Sequence, residues 1–158
     1  MIDRQPCQGW PPVSEAQKRF AHMIAALKKK RHRITPQRYA VLRILAESKD
    51  HPSVEQVFKE VRHELPCTSL ATVYKTITLL KELGEVLELG FAGWGSRYDG
   101  KKPFPHPHVI CTECGAIDDP EFPVMAELAR QMAAKSGYAI THHRLDFFGR
   151  CPACRKRA

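Results

Sequence analysis

The chain has 158 residues, which is enough for one ordinary domain or two small ones. Hydrophobic residues make up 43% and charged residues 27% of it, a mixture that suits a folded protein and excludes global disorder. No apolar run approaches the roughly 20 residues that a membrane helix needs, and residues 1–12 lack the apolar core of a signal peptide. We therefore expect a cytoplasmic protein with no membrane partner. The net charge of +8 suits a polyanionic partner.

Three amphipathic helices are predicted in the first 65 residues. Residues 14–30 carry apolar side chains at helical spacing and lead into a basic run, which suits either a solvated helix end or phosphate contacts. A second helix begins after Thr35, which can cap it, with Pro36 in the first helical position. Ser53 and Gln56 resemble a capping box and predict the start of a third helix.

A fourth helix and a hairpin complete the first structural unit. Either Thr68 or Ser69 caps this helix, and Gly84 ends it. Strands are predicted at residues 86–91 and 96–99, joined by a turn at residues 93–95. Helices followed by a hairpin are typical of the winged helix, a helix-turn-helix variant whose second motif helix enters the major groove of DNA. The positions of the fourth helix that we expect to face a core are Leu70, Val73, Ile77 and Leu80.

Residues 69–83 form the predicted recognition helix. With its apolar positions buried, Thr72, Lys75 and Thr76 lie on the opposite face and Tyr74 lies at the boundary. Hydroxyl and ammonium groups bond to phosphates and to base edges. A winged helix that binds proteins has the same pattern, so that alternative stays open. The residues predicted to contact double-stranded DNA are Arg33, Arg38, Ser69, Thr72, Tyr74, Lys75 and Thr76.

Two C-x-x-C pairs mark the last third of the chain. Cys111 and Cys114 form the first pair, and Cys151 and Cys154 form the second. Each pair places two thiolates on one tight turn, as tetrahedral zinc requires. A helix at residues 122–136 and a strand at residues 138–148 are predicted between the two pairs. A Zn²⁺ ion bound by both pairs would therefore link distant segments and stabilise a small domain. A thioredoxin-like redox pair is the alternative, and it would need an exposed, reactive thiolate.

Two histidines precede the first cysteine pair. His106 and His108 alternate along a predicted strand, so both side chains point to one face. Imidazole together with carboxylate suits Fe²⁺, Mn²⁺ or Zn²⁺, and Asp99, Asp118 and Asp119 are near in sequence. Two exposed strand residues between prolines would give the same pattern, so the residues alone leave both interpretations open.

Taken together, these motifs resemble the ferric uptake regulator family of bacterial repressors. They occur in the order of the family from about residue 17 to the end of the chain. The matching segments are Arg33 to Arg38, His51 to Ser53, Ala71 to Tyr74, Arg97 to Asp99, His106 to His108, Cys111 to Gly115, His142 to Leu145, and Cys151 to Cys154.

The resemblance implies an α+β protein that forms a homodimer. It implies an N-terminal tail at residues 1–16, a winged-helix DNA-binding domain at residues 17–100 and a hinge at residues 101–107. A small α/β dimerisation domain with the four-cysteine Zn²⁺ site follows at residues 108–158.

The resemblance also implies a regulatory Fe²⁺ or Mn²⁺ between the two domains. In the peroxide-sensing branch of the family, three histidines and two aspartates hold this metal. Asp119 carries the assignment to that branch, since iron-sensing members usually have Glu there, and the neighbouring Asp118 leaves a shift by one residue open. Carried over by motif, the ligands are His51, Asp99, His106, His108 and Asp119.

This resemblance implies that the protein is a metal-dependent repressor, and we expect that it is not an enzyme. A metal that bridges the domains would fix the angle between two DNA readers of a dimer, which must match half-sites about one helical turn apart. With Fe²⁺ bound, peroxide could oxidise His51 or His106, and the operator would be released. An iron- or zinc-responsive repressor of the same family without peroxide sensing is the alternative.

Overall fold

The computed structural model describes residues 13–91, 95–122 and 124–157. Cys7 and most of the turn predicted at residues 93–95 lie outside these ranges. Among the described residues, no helix is both long and apolar enough to cross a membrane. In chain order the elements are α1 (Glu15–Lys29), α2 (Pro36–Glu47), α3 (Val54–Glu64), α4 (Leu70–Glu82), β1 (Leu87–Phe91), β2 (Gly95–Asp99), β3 (Pro107–Cys111), β4 (Ile117–Asp118), α5 (Met125–Ser136), β5 (Leu145–Gly149) and α6 (Pro152–Arg155).

Hydroxyl side chains begin the first four helices. The predicted caps Thr35 and Ser53 are confirmed, and Ser53 forms a full capping box with Gln56. Ser14 caps α1, which begins at Glu15 and so takes in two residues that we expected in the tail. Ser69 rather than Thr68 caps α4 by accepting a hydrogen bond from the amide of Thr72. Each cap satisfies an amide that has no partner within its own helix.

The core of the first unit lies between these four helices. Its largest fully buried side chains include Met23, Leu42, Leu45 and Leu80. The prediction that Leu70 faces this core is wrong, because Leu70 is the first residue of α4 and is 36% exposed. The other predicted core residues of this helix, Val73, Ile77 and Leu80, are buried.

The hairpin of β1 and β2 lies beside the loop that joins α2 to α3. Its strands pair antiparallel, with Leu87 opposite Asp99. The amide of Tyr98 donates to the carbonyl oxygen of Pro52 over 3.0 Å, which fixes the end of β2 against this loop. Helices followed by a hairpin form the winged-helix arrangement that the sequence predicts.

A second sheet forms the last third of the chain, with strand order β4-β3-β5. β3 pairs antiparallel with β4 and parallel with β5. The strand predicted at residues 138–148 is shorter than expected, because only Leu145–Gly149 pairs with β3. Gly137 ends α5 in the left-handed conformation, and Tyr138 after it is 75% exposed. The helix predicted from residue 122 begins at Met125.

Candidate metal centres

The four cysteines of the two C-x-x-C pairs come together at one end of the second sheet. Cys111 ends β3, and Cys114 follows it on a turn. Because β5 runs parallel to β3 and ends at Gly149, Cys151 and Cys154 arrive at the same end, at the start of α6. The donor sulfurs all lie within 4.8 Å of one another. The crossover from β3 to the parallel strand β5 therefore brings together Cys114 and Cys151, which are 37 positions apart.

The spacing of these sulfurs matches tetrahedral zinc. The sulfurs of Cys114 and Cys151 are 3.7 Å apart, and a tetrahedral ion with bonds of about 2.3 Å holds its sulfurs roughly 3.8 Å apart. This distance is far beyond the length of a disulfide bond, about 2.05 Å, and the five cysteines in the described part of the chain are all free. A set of four thiols on two tight turns is the donor set of a closed structural zinc site.

Backbone amides prepare one of these thiols for metal binding. The amide of Cys151 donates to the sulfur of Cys111 over 3.3 Å. This bond, with further amides of Cys114 and Glu113, lowers the pKa of Cys111 to about 6. The neighbouring sulfur of Cys151 and burial raise the pKa of Cys154 instead. A cation would stabilise all four thiolates together.

A second cluster lies where the two structural units meet. His51, from the loop between α2 and α3, and Asp99, at the end of β2, belong to the first unit. His106 directly precedes β3, His108 lies within β3, and Asp119 directly follows β4, so these three belong to the second unit. One donor atom from each of His51, Asp99, His106 and His108 lies within 4.8 Å of the others. Asp119 Oδ2 lies 3.1 Å from His51 Nε2, so all five predicted regulatory ligands converge on one place.

The distances within this second cluster are those of ligands around one ion. The Nε2 of His51 is 3.1 Å from Asp119 Oδ2 and 3.5 Å from Asp99 Oδ2. The Nε2 of His106 is 3.3 Å from Asp99 Oδ2, and that of His108 is 3.8 Å from Asp119 Oδ1. One ion with bonds of about 2.1 Å holds its donor atoms roughly 3–4 Å apart.

Apart from these ion pairs with one another, most of the same donor atoms are buried and lack hydrogen bonds. This holds for Nε2 of His51, His106 and His108, for Oδ2 of Asp99 and for Oδ1 of Asp119. Buried polar atoms without partners are costly and rare in folded proteins. A divalent cation at their centre would satisfy all of them, so these residues fit a metal such as Fe²⁺, Mn²⁺ or Zn²⁺.

Charge is balanced inside the cluster without a metal. Burial alone lowers the pKa of His51 and of His106, but Asp119 and Asp99 outweigh it and raise both values to about 9. Burial opposes the ionisation of the two carboxyl groups, yet the histidines hold the pKa of each well below its usual range. Burial and the charge of His106 lower the pKa of His108 to about 4. A metal entering this site would therefore displace protons from these two histidines.

Local hydrogen bonds aim the ligand atoms inward. The amides of Lys101 and Lys102 donate to Asp99 Oδ1 over 2.7 and 2.9 Å, which leaves Oδ2 for the cluster. The Nδ1 of His106 lies 2.8 Å from the carbonyl oxygen of Phe104. As a donor to that oxygen it leaves Nε2 free to bind a metal.

Sequence reasoning missed a carboxylate behind this cluster. Asp146 lies opposite His108 in the pairing of β3 with β5, and its Oδ1 is 3.5 Å from His108 Nδ1. Arg144 binds the other oxygen of Asp146 over 2.5 Å. Alternation along β5 could have indicated that Asp146 faces the same side as His108, had the pairing of β3 with β5 been known.

The recognition helix presents a polar surface that differs in one residue from the prediction. Ser69, Tyr74 and Lys75 are exposed. The placement of Thr76 on the outer face is wrong, because Thr76 is 2% exposed and its hydroxyl donates to the carbonyl oxygen of Thr72. Val73, Ile77 and Leu80 fix the rotation of α4, and this rotation turns Thr76 inward as well.

Two predicted DNA contacts lie beside the basic run between α1 and α2. Arg33 is exposed. Arg38 donates to the carbonyl oxygen of Arg33 over 2.7 Å. Arg38 thus holds the loop in place, and Arg33 remains the more accessible of the two.

Apolar side chains are exposed on α5 and on the second sheet. No described side chain of α5 is buried, although Leu128 and Met132, one turn apart, are apolar. Val109 and Phe147 pair across β3 and β5 and are 38% and 52% exposed. Helices as short as α5 are marginal in water without tertiary packing, so these exposed side chains indicate a further packing partner.

Comparison with known proteins agrees with this geometry. The model of the ferric uptake regulator family matches residues 29–148. The peroxide-responsive repressor PerR of Staphylococcus aureus is 35% identical over 134 residues, which cover 85% of this chain and 90% of the repressor. The peroxide stress regulator of Campylobacter jejuni is 33% identical, with a TM-score of 0.68 over 87% of this chain and 97% of the regulator. A zinc uptake regulator complexed with zinc and DNA is 26% identical, with a TM-score of 0.65 over 91% and 97%.

Proposed function

The chain belongs to the ferric uptake regulator family, and we propose that it is a cytoplasmic, metal-dependent transcriptional repressor that binds operator DNA as a homodimer. The observation that supports this most strongly is the convergence of His51, Asp99, His106, His108 and Asp119, with their buried donor atoms lacking hydrogen bonds. These residues come from both structural units, so one ion held by them would join the units. Residues 101–107 are the hinge of this proposal.

In this proposal, the bound regulatory metal fixes the orientation of the winged-helix domain relative to the dimerisation domain. His51 and Asp99 approach it from the winged helix, and the other three ligands approach it from the second sheet. Loss of a ligand on either side frees the hinge, and the two winged helices of the dimer then no longer match the spacing of their half-sites. Because binding free energies are reciprocal, operator DNA must also tighten metal binding.

We propose that peroxide is the signal that removes the regulatory metal and releases this fixed domain orientation. The presence of Asp119 in place of Glu and the similarity to two peroxide regulators support this choice. Fe²⁺, when bound, would supply the one-electron redox chemistry that activates peroxide, while the histidine supplies both electrons of the net reaction. In the net change one oxygen atom enters a ring C–H bond of His51 or His106, and the other leaves as water. The damaged histidine is not regenerated, so the protein has no turnover as an enzyme.

The four cysteines hold a structural Zn²⁺ that the signal does not reach. Their sulfurs surround a closed site with four ligands, which leaves no open position for a substrate. A redox role would need an exposed, reactive thiol, whereas Cys111, the thiol with the lowered pKa, is 3% exposed. Zinc here joins the ends of β3 and β5 and stabilises the small domain.

DNA contacts and dimer contacts lie on separate surfaces. We propose that Arg33, Ser69, Thr72, Tyr74 and Lys75 contact operator DNA. Thr76 is left out because it is buried, and Arg38 because its guanidinium binds the carbonyl oxygen of Arg33. The apolar surface of α5 and β5 pairs with its copy in a second chain. A relative of known structure that is complexed with DNA supports duplex DNA as the partner.

The experiment that tests the proposal measures operator binding against metal concentration. Wild-type protein with its Zn²⁺ retained is titrated with Mn²⁺, and binding to labelled operator DNA is followed by fluorescence anisotropy. His106→Ala should lose the dependence on Mn²⁺ and keep its zinc and its fold. His63→Ala, a change in an exposed histidine of α3, is the matched control and should behave as wild type. If operator binding by His106→Ala depends on Mn²⁺ as in wild type, the proposal that this metal site controls DNA binding is contradicted.

A further inference from the structure

The backbone of one regulatory ligand is held in an unusual conformation. His51 has φ of +47°, in the left-handed region that residues other than glycine rarely adopt. Such conformations persist only where surrounding contacts hold them, and they cluster at functional sites. Its ring is nevertheless buried and points to Asp99 and Asp119. Some contact must therefore hold this residue in place.

Arg97 makes that contact from the neighbouring strand β2. Its Nε donates to the carbonyl oxygen of His51, and its Nη2 donates to the carbonyl oxygen of Asp50 over 2.9 Å. The next residue of the strand, Tyr98, donates its amide to the carbonyl oxygen of Pro52. Three successive carbonyl groups, one before and one after that of His51, are thus bound to two successive residues of β2.

The chemistry of Arg97 suits this task better than that of a surface ion pair. Among the described residues, it takes part in no salt bridge, and its guanidinium is directed at backbone oxygens. A guanidinium presents donors in a rigid fork and can bind two adjacent carbonyls together, whereas an ammonium is a single point charge. The arrangement also links two ligands, since Asp99 follows two residues after Arg97 in the same strand.

We propose that Arg97 is a positioning residue of the regulatory metal site, which holds His51 in its left-handed conformation so that Nε2 reaches the metal. This inference rests on the proposed function, because it takes the cluster of His51 and Asp99 as a metal site. Arg97 does not bind the metal itself. It fixes a ligand in the way that residues around a metal site commonly orient the ligands, where substitutions typically weaken binding about 10–100-fold.

The test is Mn²⁺ affinity of the zinc-loaded protein, measured from the electron paramagnetic resonance signal of free Mn²⁺. Arg97→Met should weaken Mn²⁺ binding about 10–100-fold. Arg97→Lys keeps one hydrogen bond and should fall between this variant and wild type. Arg62→Met removes an exposed arginine that stacks on Phe58 in α3, and it should leave the affinity unchanged.

A double variant separates positioning from a general loss of structure. If Arg97 acts through His51, Arg97→Met should have no further effect on Mn²⁺ affinity once His51→Ala is present. Zinc content and the urea midpoint of the protein without Mn²⁺ report on the fold. Should Arg97→Met be unfolded, Arg97→Lys in both backgrounds carries the same comparison.

The outcomes distinguish this inference from the function on which it rests. If His106→Ala abolishes Mn²⁺ binding while folded Arg97→Met and Arg97→Lys bind as wild type, the positioning role is refuted and the metal site stands. An equal effect of Arg97→Met with and without His51 would also refute it. If His106→Ala binds Mn²⁺ as wild type, the metal site itself is wrong, and the inference falls with it.

Discussion

A buried ion pair between α1 and the segment after α4 should be essential for the stability of the first unit. Arg19 and Glu85 are 2.6 Å apart, and their side chains are only 11% and 8% exposed. Arg19 also donates to the carbonyl oxygen of Gly100 over 2.7 Å, one residue after Asp99 of the proposed metal site. Arg19→Met keeps most of the packing volume and removes the charge and all of these bonds.

The expected loss follows from the burial of Glu85. Removing one partner of a buried pair leaves an uncompensated charge and costs about 3–5 kcal/mol, and the lost bond to Gly100 adds about 1 kcal/mol. His22 lies 3.1 Å from the same carboxylate but is 70% exposed, so it offsets only part of this loss. Arg19→Met should therefore lower the free energy of unfolding by about 3–5 kcal/mol.

Urea denaturation of the zinc-loaded protein, followed by circular dichroism, measures this loss. Adding Glu85→Gln to Arg19→Met should recover at least about 1 kcal/mol, because a neutral amide costs less to bury than a carboxylate. The reasoning is refuted if Arg19→Met costs less than about 1 kcal/mol, the range of an exposed ion pair. It is also refuted if Glu85→Gln brings no recovery.

Three further changes test other parts of the structure. The pKa values of His51 and His106 are about 9 without metal, so Mn²⁺ binding at pH 7 should release about two protons and strengthen as pH rises towards 9. Calorimetry in buffers of different ionisation enthalpy counts the released protons. Release of no protons would contradict the charge assignment. A Cβ on Gly100 would lie 2.8 Å from Leu45 Cβ, so Gly100→Ala should lower the free energy of unfolding in urea by about 1–3 kcal/mol, whereas Gly90→Ala, with open space around it, should cost less. Met132→Glu should weaken the dimer at least about 10-fold in sedimentation and Gln131→Glu should not; equal dimerisation of both would place the interface elsewhere.

Local signals in the sequence predicted the helices well and the second sheet less well. The caps Thr35 and Ser53 act through bonds within four residues, so the sequence reveals them directly. The strand predicted from Tyr138 fails because β5 exists only where β3 is available to pair with it, which is a contact between distant segments. Thr76 was misplaced for a related reason, since the burial of α4 depends on the helices around it.

The residues proposed to bind the regulatory metal were predicted by type, and their geometry could not be. Motif resemblance supplied His51 and Asp119, which are 68 positions apart in the chain, yet their donor atoms lie 3.1 Å apart. No sequence motif pointed to Arg97 or Asp146, which contact the residues of this site. Arg97 acts on backbone carbonyls and Asp146 acts across a parallel strand pair, so neither role is visible before the fold is known.

Oxidation mapping tests the peroxide-sensing proposal most directly. The zinc-loaded protein is given Fe²⁺ or, as a control, Mn²⁺, then treated with a low dose of peroxide, and its peptides are analysed by mass spectrometry. We predict one added oxygen on His51 or His106 in the iron sample and none in the manganese sample. Unmodified histidines in both samples, with iron shown to be bound, would contradict peroxide sensing and leave a repressor that responds to metal alone.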